Sequence, residues 1–141
     1  YNELPFKFEA GTPNVGDVIG LGEAIRFIQD TGIDLIAQTG EELVKYCEKR
    51  LLEEGGITLI GTAENKSGVV SFLIDNVHPY DAGTIIDRFG VAVRTGHHCA
   101  QPVMDYFKIP GTIRASFSVY NTKEEIDTLL VAIRKVKAMF C

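Results

Sequence analysis

Arg94, His97, His98 and Cys99 place a guanidinium, two imidazoles and a thiol within six residues, in the stretch VAVRTGHHCAQP from Val91 to Pro102. A cysteine acts as a nucleophile or a metal ligand in its thiolate form, which nearby positive charge and partial exposure favour. Gly96 lets the backbone turn here, and Pro102 closes the stretch. The residues leave three fates open for Cys99: nucleophile, metal ligand, or a buried thiol that fills space. A metal set would draw on His97, His98, Cys99 and His78. Neighbouring residues of an extended loop point in opposite directions, however, and no further Cys or His stands at a usual zinc spacing, so no metal site is expected. Space-filling suits Cys47 better, because it lies on the apolar stripe of a helix; Cys141 ends the sequence and is uninformative.

Two further signals stand apart from this loop. In TIRASFSVY, Arg114 falls on the polar face of a strand between small neighbours, which leaves its guanidinium room for two parallel bonds to a carboxylate. A surface ion pair is the plainer reading of the same arginine. In FEAGTPN, Gly11, Thr12 and Pro13 put a hydroxyl and free backbone N–H groups in a tight turn just before a helix, a weak signal for phosphate.

The elements that must position these groups follow from periodicity. Asp17 is expected to cap a first helix with Val18, Leu21, Ile25 and Ile28 on one face and Gly32 past its end. Gly20 and Gly22 inside it suggest close packing against another surface. A second helix is predicted from about Asp34 to Glu54, with Leu43, Val44, Cys47 and Leu51 inward. ITLIG and GVVSFLI then read as strands. Pro79 and Asp81 open a third helix that stops at Gly90. VAV is read as a short strand leading into the Arg94–Cys99 loop, and Pro102 as the start of a helical turn or two that Pro110 ends. TIRASFSVY alternates with period two, Ile113, Ala115, Phe117 and Val119 against Arg114, Ser116, Ser118 and Tyr120. Thr122 and Glu125 make a capping box before a last helix. Strands and helices mix without strict alternation, which predicts an α+β fold: a small mixed or antiparallel sheet covered by helices. The first 30 or so residues read as a bridging segment outside that core.

Bulk properties exclude several classes of function. The 141 residues are 45% apolar and 23% charged, with a net charge of −5, so one folded domain is expected. The bases are scattered and no aromatics interleave with a basic run, which argues against nucleic acid as a partner. No apolar run reaches the roughly 18 residues that a membrane span needs. Three irregularly spaced cysteines and no charged-then-apolar leader point to a cytoplasmic protein with free thiols.

FEAGTPN with GLGEAI, RTGHHCAQP, and RASFSVYNTKEEID, in this order and spacing, resemble the C-terminal part of the Suf-type cysteine desulfurases and selenocysteine lyases. These are class V aminotransferase relatives of fold type I that depend on pyridoxal 5'-phosphate, and the resemblance covers essentially the whole chain. It implies a segment 1–31 that links and bridges from a large cofactor domain, and a small C-terminal domain over 32–141. It implies Cys99 as the catalytic thiol, which takes sulfur from L-cysteine as a persulfide and releases L-alanine. Arg114 would hold the substrate carboxylate, and Arg94 would line the same pocket and favour the thiolate. Thr12 with Gly11 would reach the phosphate of the cofactor in a partner subunit of a homodimer, and His97 and His98 would support the thiol. A sulfur-acceptor protein and iron–sulfur cluster assembly are the implied partner and setting.

One departure is large. The family's cofactor lysine sits in a Ser-x-His-Lys context that no lysine here has, so this chain is predicted to be inert by itself. The start at Tyr1 agrees with a piece of a longer protein. Two alternatives stay open: another class V relative that needs no cysteine at this place, and a stand-alone module that binds a partner or a metal.

Overall fold

The side chain of Asn14, rather than that of Asp17, begins the first helix in the computed structural model, which describes residues 1–140. Its carbonyl oxygen accepts the Asp17 N–H, and α1 runs over Val15–Thr31. Asp17 therefore lies in the first turn, where its charge still suits the helix dipole. At the other end Gly32, at φ +90°, returns its N–H to the Ile28 carbonyl at 2.9 Å. Two compact units make up the chain, Tyr1–Asp34 and Leu35 onward. Within the first, α1 buries none of its residues, and Val18, Leu21, Ile25 and Ile28 are all exposed. Among the described residues nothing packs closely on Gly20 or Gly22, where an added Cβ would meet no atom within 4 Å.

The second unit holds the core. After α2 (Ile33–Glu54) come β1 (Ile57–Ile60) and β2 (Val69–Ile74), then α3 (Pro79–Asp87), β3 (Arg94–Gly96), α4 (Gln101–Phe107), β4 (Thr112–Ser116) and α5 (Lys123–Phe140). The four strands form one antiparallel sheet in the order β1-β2-β4-β3. Period-two alternation divides its faces. Val70, Phe72 and Ile74 of β2 and Ile113 and Ala115 of β4 are buried, and they join one cluster with Leu43, Cys47 and Leu51 of α2, Ala82 and Ile86 of α3, and Ile126, Leu130 and Ile133 of α5. The fold is thus α+β, helices laid on one face of a small antiparallel sheet, as the sequence predicts.

Local chemistry sets the element ends. Glu125 and Thr122 exchange bonds, Thr122 N–H to the Glu125 carboxylate at 3.0 Å and Glu125 N–H to the Thr122 hydroxyl at 3.4 Å, which is the expected capping box. His78 caps α3 by accepting the Tyr80 N–H on Nδ1 at 3.3 Å, with Pro79 in the first turn. Lys108 rather than Pro110 ends α4, in the left-handed conformation at φ +55°.

The strand expected at Val91–Val93 begins three residues later. Val91 and Val93 pack against the core without ladder bonds, and pairing starts only where β3 meets β4, at Arg94↔Arg114, Thr95↔Ile113 and Gly96↔Thr112. A close backbone approach permits that pairing. A Cβ on Gly111 would stand 2.7 Å from the Gly96 carbonyl carbon, and one on Gly83 of α3 would stand 2.5 Å from Cγ2 of Thr95. The two glycines let β3 sit tightly between β4 and α3.

Candidate active site

The register of β3 on β4 puts Arg94 directly opposite Arg114, and Ser71 of β2 opposite Arg114 on its other side. Partners in register share a face, so the two guanidiniums and the serine form one row on the side of the sheet away from Ile113 and Ala115. Like charges facing each other across a ladder weaken it by a few tenths to about 1 kcal/mol. Neither arginine joins any of the ion pairs among the described residues. Arg114 Nε is also buried with no hydrogen-bond partner, a debt of about 1–3 kcal/mol for a buried donor left unmade. Such a pair is chemically suited to a carboxylate or another anion, which would cancel the repulsion and accept the orphaned N–H.

Beyond Gly96 the chain makes a tight reversal. Ala100 N–H bonds the His97 carbonyl at 2.8 Å, and the two residues between, His98 and Cys99, both have positive φ, +54° and +57°. Both central residues of a type I′ turn take this conformation, which Asn and Gly usually fill. For ordinary side chains the left-handed region costs about 1–2 kcal/mol per residue. Side-chain bonds hold the strained turn. His98 Nε2 lies 2.9 Å from the Thr112 hydroxyl, and Thr112 is itself buried at the start of β4. His97 Nδ1 accepts the Cys99 N–H at 3.1 Å.

Cys99 is exposed at this turn, whereas Cys47 is fully buried. Burial, with a smaller contribution from Glu48, pushes the Cys47 thiol up to about 12, as a space-filling thiol requires. Burial, then the positive charge of Arg114, pulls the His98 imidazole below its ordinary value, with Arg94 acting in the same direction and a hydrogen bond to the Thr112 backbone opposing. Cys99 is therefore next to a neutral histidine in an electropositive neighbourhood. Cys141 lies outside the described residues.

The second unit thus brings Arg94, His97, His98, Cys99 and Arg114 onto one strand pair and the turn that leaves it. Thr12 and Gly11 belong to the first unit, in an exposed turn before α1 where a Cβ on Gly11 would meet nothing within 4 Å. Among the described residues no three His, Cys, Asp or Glu side chains gather as a metal ion would need, and His78 is occupied as a helix cap. Among the described residues no helix is long and apolar enough to cross a membrane. Thr112 and Gly111 are site residues that the sequence reading passed over. The available signal for Thr112 was its place two residues before Arg114 on the same face of an alternating strand.

Comparison with known proteins agrees with this fold. Residues 1–129 match the sequence model of the family described as Aminotransferase class-V. A protein of Halalkalibacterium halodurans described as "Probable cysteine desulfurase" is 48% identical over 140 residues, 99% of this chain and 34% of that protein. A solved cysteine desulfurase of Thermococcus onnurineus superposes with a TM-score of 0.88 at 42% identity, over 96% of this chain and 34% of its own. The cysteine desulfurase CsdA of Escherichia coli, in an S-sulfonic acid form, gives 0.89 at 34% identity, over 99% of this chain and 35% of its own. The chain spans about a third of the length of these relatives. A match that runs through most of the sequence, joined to the same fold at such identities, makes this chain a member of the aminotransferase class-V family.

Proposed function

We propose that this chain is the C-terminal part of a Suf-type cysteine desulfurase and supplies its sulfur-accepting thiol and its carboxylate clamp. The observation that carries the reading is the Arg94–Arg114 pair, two facing guanidiniums that form no ion pair among the described residues, on the strands that deliver an exposed cysteine. In this reading the α-carboxylate of L-cysteine binds Arg114, with Arg94 beside it. The Cys99 thiolate then attacks the substrate sulfur. An S–S bond forms as the substrate C–S bond breaks, which leaves a persulfide on Cys99 and an alanine skeleton to be protonated and released. Selenocysteine would react at the same residue by the same route.

The family implies pyridoxal 5'-phosphate, and the residues present suit its periphery. The Thr12 hydroxyl and the open backbone at Gly11 suit the phosphate of a cofactor in a partner subunit, and Arg114 suits the substrate joined to it. When bound, the cofactor supplies an electron sink at the substrate α-carbon. The lysines here do not suit its anchor. Lys45, Lys49 and Lys66 pair with Glu41, Glu53 and Glu48, Lys137 bonds the Glu54 and Gly55 carbonyls, and Lys123 lies over the Tyr46 ring. We assign the anchor lysine to the remainder of a longer, homodimeric, cytoplasmic protein that passes sulfur to an acceptor protein for iron–sulfur cluster assembly. By itself the chain is then inert toward cysteine.

The test is direct. The full-length protein, treated with cysteine, should release alanine and gain one sulfur atom on the Cys99 peptide by mass spectrometry. Cys99→Ser should lose both, and Arg114→Ala should raise KM for cysteine steeply. Alanine release undiminished in Cys99→Ser, or release by the 141-residue chain with added cofactor, would overturn the assignment.

A further inference from the structure

The turn that carries Cys99 is held by a bond whose acceptor is itself titratable. We infer that His97 is a positioning residue: through Nδ1 its neutral ring holds the Cys99 N–H and keeps the thiol-bearing residue in its left-handed conformation. The role assigned to the thiol so positioned rests on the proposed function; the holding of the backbone does not.

Three observations carry the inference. First, His97 Nδ1 lies 3.1 Å from the Cys99 nitrogen, two residues on. Second, His98 and Cys99 both have positive φ, a conformation uncommon outside glycine, and Cys99 lacks the enrichment that Asn, Asp and His show there. Third, among the described residues the other side-chain bond on this turn ties the neighbouring residue, His98, to Thr112, while Cys99 itself is held by the His97 ring and the turn by the Ala100 N–H bond to the His97 carbonyl.

The imidazole must be neutral to do this. A neutral ring offers one lone pair, and with Nδ1 accepting, the proton resides on Nε2. Protonation turns Nδ1 into a donor facing another donor, and the bond is lost. The charged groups that act on the neighbouring His98 are Arg114 on β4 and Arg94 on β3, and His98 and Cys99 are the titratable side chains in the turn itself. Asn is the natural mimic, because its side-chain oxygen reaches the N–H two residues on in an Asx turn and does not titrate.

The experiment measures solvent exchange of the Cys99 amide by NMR in the 141-residue chain, from neutral pH downward, for the wild type, His97→Ala, His97→Asn and His97→Gln. Loss of one such bond should speed Cys99 amide exchange about tenfold in His97→Ala. His97→Asn should retain the protection. His97→Gln, whose amide stands one carbon further out, should resemble His97→Ala. The rate of Cys99 alkylation should follow the same order. Wild-type protection in His97→Ala, or failure of His97→Asn to restore what His97→Ala loses, would overturn the inference. The expected order of amide exchange across the series, together with no persulfide on Cys99 in the full-length protein, would sink the proposed function and leave the positioning role standing.

Discussion

Two cysteines of one chain sit in opposite chemical situations, and this sets the first prediction. Cys47 has no exposed surface and a thiol pushed up to about 12, while Cys99 lies open at its turn. Iodoacetamide at neutral pH should label Cys99 in the native chain and reach Cys47 only after urea unfolding, as peptide mapping would show. His98 supplies a second prediction. Burial first, then Arg114, holds its ring below the ordinary value of 6.5 in the folded chain. As pH falls through that value the unfolded chain takes up the proton before the folded one does. The contribution of His98 to stability is therefore complete above pH 6.5 and is lost on descent toward its lowered folded value. Urea midpoints measured from neutral pH to about pH 5 should fall less steeply in His98→Asn, a replacement that tolerates the positive φ. Equal slopes in the two proteins would refute this. Which residue types gather near Cys99 was readable from the sequence. The left-handed turn was not, because it depends on bonds from Thr112 and from the His97 ring that only the folded chain brings together.

Strand β3 is three residues long, and its place depends on absent side chains. A Cβ at Gly111 would stand 2.7 Å from backbone of Gly96, which is atoms that cannot rotate away. Gly111→Ala should cost about 1–3 kcal/mol as an overpacking change and should loosen the amides of Thr95 and Gly96 in hydrogen exchange. An unchanged melt and unchanged exchange would show that the strands can part at no cost. The cap of α5 is a milder case. Thr122→Ala should lower stability by about 1 kcal/mol in urea denaturation, with no change in Cys99 labelling. At this scale the helices were legible, because caps and apolar stripes are local; Leu43, Cys47, Ile126 and Ile133 fall inward as their spacing says. The start of β3 was misplaced for the opposite reason. Val91–Val93 has the composition of a strand, but pairing is decided by where β4 lies, and the aliphatic side chains of Val91 and Val93 reach the core without it.

Over the whole molecule, the core and the first unit are separable in sequence. Every residue of the buried cluster lies between Leu43 and Val136, and α1 buries none. A chain that begins at Ile33 should therefore keep a cooperative thermal transition and most of its far-UV helical signal per residue; a broad, non-cooperative melt would contradict this. The α+β class and the inward faces could be read from the order and periods of the elements. The facing of Arg94 and Arg114 could not, since it depends on a strand pairing between residues 20 positions apart. That pairing has a consequence for how the sequence can vary. Along β4 the odd positions, Ile113 and Ala115, answer to the volume of the core, and the even ones, Thr112 and Arg114, answer to the chemistry of the turn and the row of charge. On the proposed function, selection for folding and selection for activity act on alternate letters of a single five-residue word. A saturation library of β4, sorted once for soluble expression and once for function, should separate by parity.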